Sequence, residues 1–335
     1  MEGLSEPFSV RGWSGEQTTG MKSRVHPRYK TRYRVGNWAE YDRSLVQRGD
    51  ITLWLSPDAI EYWKPVPSGK RGGQRRYSDT AIETAITLRT VFNLPLRQTE
   101  GFLRSLLELM AVGLEAPDHT TLSRRSRHLT VRLRRPATNK PIHLIVDSTG
   151  LSIVGEGEWA AAKHGKKGKR GWKKLHLGVD RAGVIVAQVL TDGNTDDAAT
   201  APELLGQLEG QLPDFIADTA YDSRPVYDAA TARGAAVVIP PRNNATVGGR
   251  SGAPCAARDR TVERIREVGR RHWKKESGYH RQGTVENAFF RYKSMIGDRL
   301  RARHPMAQKT EALIACDVLN DMFELGRPVS KAIRT

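Results

Sequence analysis

The 335-residue chain carries 54 Lys and Arg against 37 Asp and Glu, a net charge of +17 with a pI near 10.1. A hydrophobic fraction of 38% with 31 glycines is ordinary for a globular protein, which excludes wholesale disorder, and the length suffices for two domains. A chain this basic attracts polyanions, with nucleic acid ahead of an acidic membrane surface.

In chain order, the opening MEGLSEPFSV has two acids and no apolar run, so it reads as no signal peptide. Residues 1–36 show no sustained period and read as a flexible basic arm. From Asn37 to Trp63 the aromatic and aliphatic bulk is enough to pack, and PVPSGKRGGQRR then reads as a linker. Ser78 is a candidate N-cap for a helix carrying Ala81, Ala85, Leu88 and Phe92 at helical spacing. A second amphipathic run follows, with Leu103, Leu106 or Leu107, and Met110 on one face. TTLSRRSRHL is a short helix whose polar side gathers Arg124, Arg125, Arg127 and His128. That order is the order of a helix-turn-helix reader of DNA, and equally of a small bundle with a solvated charged face. Residues 37–137 are therefore expected to form a mainly helical DNA-binding domain.

From about Thr138 the pattern changes. IHLIVDSTGLSIVG reads as two short strands split by a turn at STG. WKKLHLGVD and VIVAQVLTDG pair around RAG, and the apolar run in the latter is far too short to span a bilayer. DDAATAPELLGQLEG reads as helix, DFIAD as strand, SRPVYDAATARG as helix, GAAVVIPP as strand and TVENAFFRYKSMIGDRL as a long amphipathic helix. The result is an α/β domain over 138–326, a mixed sheet flanked by helices, with 327–335 as a tail. Cys255 and Cys316 form no C-x-x-C pair, which argues against a disulfide framework and fits a reducing cytoplasm.

Chemistry is expected at the ends of those elements. Asp147 follows LIV, Asp218 follows FIA, and Glu286 lies near the start of the C-terminal helix. Clustered carboxylates repel unless a cation neutralises them, and hard oxygen donors suit Mg²⁺ or Mn²⁺. Two such ions about 3.5–4 Å apart activate water and stabilise a leaving oxygen in phosphoryl transfer. Asp180, Asp192, Asp196, Asp197, Glu156 and Glu158 also sit near strand ends, and spacing alone does not choose among these acids.

Three blocks carry a resemblance. IVDSTG with Asp147, DFIADTAYDS with Asp218, and YHRQGTVENAFFRYK with Glu286 are similar to the signature blocks of DDE transposases of bacterial insertion sequences. The third block of that family reads Y-x-x-R-x-x-x-E-x-x-x-x-x-x-K. Tyr279, Glu286 and Lys293 fall in register, whereas Gln282 occupies the Arg position and Arg281 lies one residue earlier. NWAEYDRSLVQRGDITLWLS and LPLRQTEGFLRSLL also resemble the N-terminal region of one subgroup, so the likeness runs from about Asn37 to Leu325.

The resemblance implies a ribonuclease-H-like catalytic domain with Asp147, Asp218 and Glu286 as catalytic metal ligands and Mg²⁺ as cofactor, with Mn²⁺ as its substitute. It also implies double-stranded DNA as partner, at element ends and target, and more than one copy of the chain on paired ends. No membrane is involved, and the setting is the nucleoid-associated cytoplasm. Water, then a DNA 3′-hydroxyl, would be the nucleophile. KHGKKGKRGWKK, with seven Lys or Arg and no acid, suits backbone contact through Lys173 and Lys174, and Trp172 suits base stacking. Tyr279, Arg281 and Lys293 would hold DNA beside the acids. RDRTVERIREVGRRHWKK reads as a helix lying against DNA or exposed to solvent. A catalytically dead DNA-binding regulator and a nuclease that cuts without joining are the alternatives.

Overall fold

The computed structural model describes residues 32–67, 69, 71–134, 141–154, 171–210, 212–248 and 255–333. The expected N-terminal arm up to residue 31 and most of the Lys-rich loop, 155–170, lie outside the described residues. The described residues fall into two compact units, one of residues 32–39 with 328–333 and one within residues 40–327. In the first, β1 (Arg32–Val35) pairs antiparallel with β8 (Ser330–Ile333).

The large unit begins within α1 (Trp38–Gln47) and continues with α2 (Ile51–Trp54), α3 (Pro57–Glu61), α4 (Asp79–Val91), α5 (Leu96–Leu109) and α6 (His119–Arg125). Their starts follow capping chemistry. Ser78 Oγ accepts from the Ala81 N–H at 3.0 Å, and Asp118 Oδ1 accepts from the Thr120 and Thr121 N–H groups at 2.9 Å each. Ala81, Ala85 and Leu88 are fully buried, and Leu103, Leu107 and Leu122 join them, with Trp54 and Trp63 closing the cluster. Met110, expected on that face, is instead 40% exposed at the C-cap, just past the end of α5 at Leu109.

The sheet follows, with β2 (Leu144–Ile153), β3 (Trp172–Val179), β4 (Ile185–Asp192), α7 (Asp197–Gly206), β5 (Asp214–Ala217), α8 (Arg224–Ala232) and β6 (Ala236–Val238). Strand order is β4-β3-β2-β5-β6; β2, β3 and β4 pair antiparallel, while β5 and β6 add on in parallel. This is the ribonuclease-H-like mixed sheet that the sequence led one to expect. Helices α7 and α8 cover one face; α11 (Gly283–Arg291) and α12 (Pro305–Leu325) cover the other, after α9 (Ala256–Val268) and α10 (Arg270–Glu276). A short β7 (Arg299–Leu300) pairs with the end of β2.

Two expected elements differ. The run around STG contains no turn. β2 is one ten-residue strand, paired with β3 through Ser148, Thr149 and Gly150, and the Trp172 ring lies over the Gly150 backbone. The helix bearing Glu286 is shorter than its pattern suggests. It is α-helical only to Arg291, widens to a π turn over Tyr292–Ile296, and stops at Gly297, whose φ of 122° suits glycine. Sequence patterning did not single out α12, which buries Ile314 and Val318 against the helical cluster and Ala315 and Leu319 against the sheet.

Candidate active site

Leu144, Ile145 and Val146 are fully buried and pair with Phe215, Ile216 and Ala217 of β5. That parallel ladder ends at the Val146–Ala217 pair, so Asp147 and Asp218 are the next residues on two neighbouring strands. Each is fixed by a backbone donor. Ser148 N–H donates to Asp147 Oδ1 at 2.7 Å, and Ala220 N–H donates to Asp218 Oδ1 at 2.9 Å, where Asp218 caps a one-turn 3₁₀ segment. Glu286 lies in the first turn of α11. Val285, Ala288 and Phe289 bury the opposite side of that helix against the sheet, leaving Glu286 exposed at the rim.

Gln282 immediately precedes α11 and is buried, and its Nε2 donates to the Val146 carbonyl at 2.9 Å. The residue in the family's Arg position thus ties the Glu286 helix to the backbone just before Asp147. Arg281 folds back over Gly278, where a Cβ would meet its Nη1 at 2.8 Å; the φ of 72° there also calls for glycine. Lys293 is exposed but lies in the π turn, beyond the α-helical segment that would have stacked it over Glu286.

The electrostatics bring the acids together. Asp147 is pushed up to about 6, first by burial and then by the charges of Asp218, Glu286 and Asp197. Asp218 is also raised, by burial and then by Asp197, with Lys174 opposing. Tyr279 is pushed up to about 12 by burial and by Asp218, Asp147 and Glu286, which places its phenol in the field of all three. Asp197, at the start of α7, is therefore a fourth carboxylate of the cluster, one that strand-end spacing had left among several. His176 is fully buried between the Thr191 and Thr200 hydroxyls at 2.9 and 3.1 Å, and burial lowers it to about 4.

All donors in the cluster are carboxylate oxygens, the chemistry of a hard divalent cation. Among the described residues no three His, Cys, Asp or Glu side chains stand close enough to enclose one ion. Mg²⁺ characteristically takes one or two carboxylates and completes its shell with water and substrate phosphate, so this donor set fits it. An all-protein cage is not required.

The cations expected to meet DNA divide into two groups. Lys173 Nζ lies 2.5 Å from Asp192 Oδ1, and Lys174 Nζ lies 3.1 Å from Asp197 Oδ1 and 2.9 Å from the Thr195 carbonyl. Arg125 is likewise engaged, donating to the Tyr77 carbonyl at 2.9 Å and pairing with Asp79. Arg124 is exposed, Arg127 is half-buried, and Arg271, Lys274 and Lys275 line a groove of about 510 Å³ beside Tyr279.

The fold is thus a mixed sheet with one acid inside β2, one just past β5 and one on a facing helix, and sequence comparison names the family. Residues 138–320 match the family model described as the transposase DDE domain, and a second model of the same description matches residues 46–156. The first spans more than half the chain, and the chain belongs to the DDE transposase family. Among solved structures, the cryo-EM structure of piggyBac transposase synaptic complex with hairpin DNA aligns over 84% of this chain and 75% of that one. Its identity is 12% and its TM-score 0.35, a likeness too slight to carry an argument. No helix among the described residues is long and apolar enough to cross a membrane.

Proposed function

We propose that the protein binds the terminal inverted repeats of an insertion sequence and catalyses metal-dependent strand cleavage and strand transfer. The observation that carries this reading is that, in a chain of the DDE family, Asp147 and Asp218 follow a paired Val146 and Ala217 on neighbouring strands, and Asp147 is pushed up to about 6 by burial and then by the charges of Asp218 and Glu286. Divalent ions held by these carboxylates, Mg²⁺ or Mn²⁺ in its place, would supply an activated water and neutralise charge developing on the phosphate.

The chain's own residues supply placement. The Ser148 and Ala220 N–H groups fix the Asp147 and Asp218 carboxylates, and Gln282 fixes the helix bearing the third. Tyr279, Arg281 and Lys293 then flank the DNA backbone, and Arg124 and Arg127 hold it from the helical block. Joining two ends calls for more than one copy of the chain, in a nucleoid-associated cytoplasmic setting.

The test is a duplex carrying the element's ends, incubated with protein and Mg²⁺ and assayed for nicking and for joining to a target duplex. Metal-dependent nicking followed by joining is the expected result. Nicking without joining would make it a nuclease, and binding without nicking a regulator.

A further inference from the structure

We propose that a cavity of about 310 Å³ between α4, α6 and the start of α12 binds a phosphate group of the DNA backbone. Its walls carry Arg89, Arg127, Arg301, Arg303 and His304 against one carboxylate, Glu311. That carboxylate is already occupied. It accepts from the Arg301 and Ala302 N–H groups at 2.8 and 2.7 Å, and Arg89 Nη1 lies 3.6 Å from it.

The cations are left in excess. The Arg89 side chain is 8% exposed, and its Nε has no hydrogen-bond partner; the Nε of Arg127 is also buried and unpartnered. Buried guanidinium donors ordinarily find acceptors, so these two mark a missing one. Arg301 is lowered by burial and then by the charge of Arg89, the repulsion expected where an anion belongs. The cavity also opens at the start of the 21-residue helix α12, whose dipole favours an anion there.

Two neighbouring grooves favour DNA over a free anion. One shares Leu96 and Ser123 with the cavity and adds Arg97 and Arg124; the other shares Arg127 and Thr310 and adds Lys309. Arg97, Arg124, Arg303 and Lys309 are all exposed, so cations continue on both sides as a polyanion requires. A phosphate seated in the cavity would register the duplex on the helical block. The inference rests on the proposed action on DNA.

The experiment compares the wild-type chain with Arg127→Gln, Arg303→Gln and the double variant, using a random-sequence duplex and, separately, inorganic phosphate. Melting temperatures establish that each variant folds, and the exposed Arg303→Gln alone serves if the double does not. The expected result is several-fold weaker duplex binding by the double variant, with the slope of log K against log salt smaller in magnitude by about 0.9 for the phosphate lost. Unchanged affinity and slope overturn the proposal. So does a phosphate-induced rise in melting temperature that the variants lose without any change in duplex binding, since the site would then take the free ion. Either failure leaves metal-dependent nicking by the wild-type chain as a separate test of the proposed function.

Discussion

Two groups of acids lie in the same compact unit, and they differ in what faces them. Asp317, on α12, is pushed up to about 7 by burial, and Asp321 and Glu83 are raised as well. Arg134 answers that group. Its N–H donates to Asp317 Oδ1 at 2.7 Å, and its guanidinium lies 3.7 Å from Asp317 and 3.4 Å from Asp321. At the other group the charge of Lys174 acts on Asp218, but Lys174 is committed to Asp197 and the Thr195 carbonyl. Raised carboxylates therefore do not by themselves identify a site. Among the described residues Asp147, Asp218 and Glu286 have no ion pair of their own, which suits a charge supplied from outside.

The strongest way to break this comparison is to remove acids from each group. Asp147→Asn, Asp218→Asn and Glu286→Gln should each lower the Mg²⁺-dependent cleavage rate by at least about a thousandfold while duplex binding by gel shift persists, as the proposed metal ligation requires. Asp317→Asn, at the other group, should cleave at close to the wild-type rate. Near-normal cleavage by any of the first three removes that residue from the site.

A second test removes the cation instead. Arg134→Met should destabilise the fold by about 2 kcal/mol at pH 8, less than a fully buried pair would because the Arg134 side chain is 57% exposed. The sign with pH follows from Asp317. A carboxylate raised to about 7 binds its proton in the folded state first, so stability falls as pH rises from about 4 to about 7. The variant's deficit should thus shrink at pH 5, measured by urea denaturation at both values.

A smaller effect of opposite sign is expected at the active site. Asp147→Asn keeps an oxygen for the Ser148 N–H but removes a charge that burial and its neighbours oppose. It should stabilise the fold by about 1–2 kcal/mol at pH 7.5, and the gain should fall to about half of that near pH 5 and vanish below about pH 4, where Asp147 is protonated in the folded and the unfolded chain alike. A variant that is inactive yet more stable is the signature of a group held for chemistry; a destabilised Asp147→Asn would contradict it.

The smallest difference separates two neighbouring arginines. Arg124→Ala should lower the magnitude of the salt slope by about 0.9 at unchanged melting temperature. Arg125→Ala, which loses Asp79 and the Tyr77 carbonyl, should leave the slope unchanged and lower stability by about 0.5–1 kcal/mol. Equal slopes for both variants would remove Arg124 from the interface.

Much of this was legible in residues. Asp147 and Asp218 announce themselves as acids closing apolar runs, although β2 continues past Asp147 where a strand end was expected, and the capping of α4 by Ser78 is a local rule. What escaped depends on distance in the chain. Arg125 and Lys173 look like free cations until Asp79 and Asp192 are brought to them. Gly150 reads as a turn until β3 pairs past it. The helix α12 has no polar stripe to betray its period, because one side packs on the helical cluster and another on the sheet. Asp197 could not be chosen from its neighbours by spacing, since its place beside Asp147 is set by the packing of α7.

The most direct measurement replaces Mg²⁺ with Fe²⁺ and maps where the protein backbone is cut by hydroxyl radicals generated with ascorbate and peroxide. The account predicts cuts close to Asp147, Asp218 and Glu286, suppressed by excess Mg²⁺ and by Asp218→Asn, and none around Asp317. Cuts centred on Asp317, or a pattern that Mg²⁺ and Asp218→Asn leave unchanged, would contradict it.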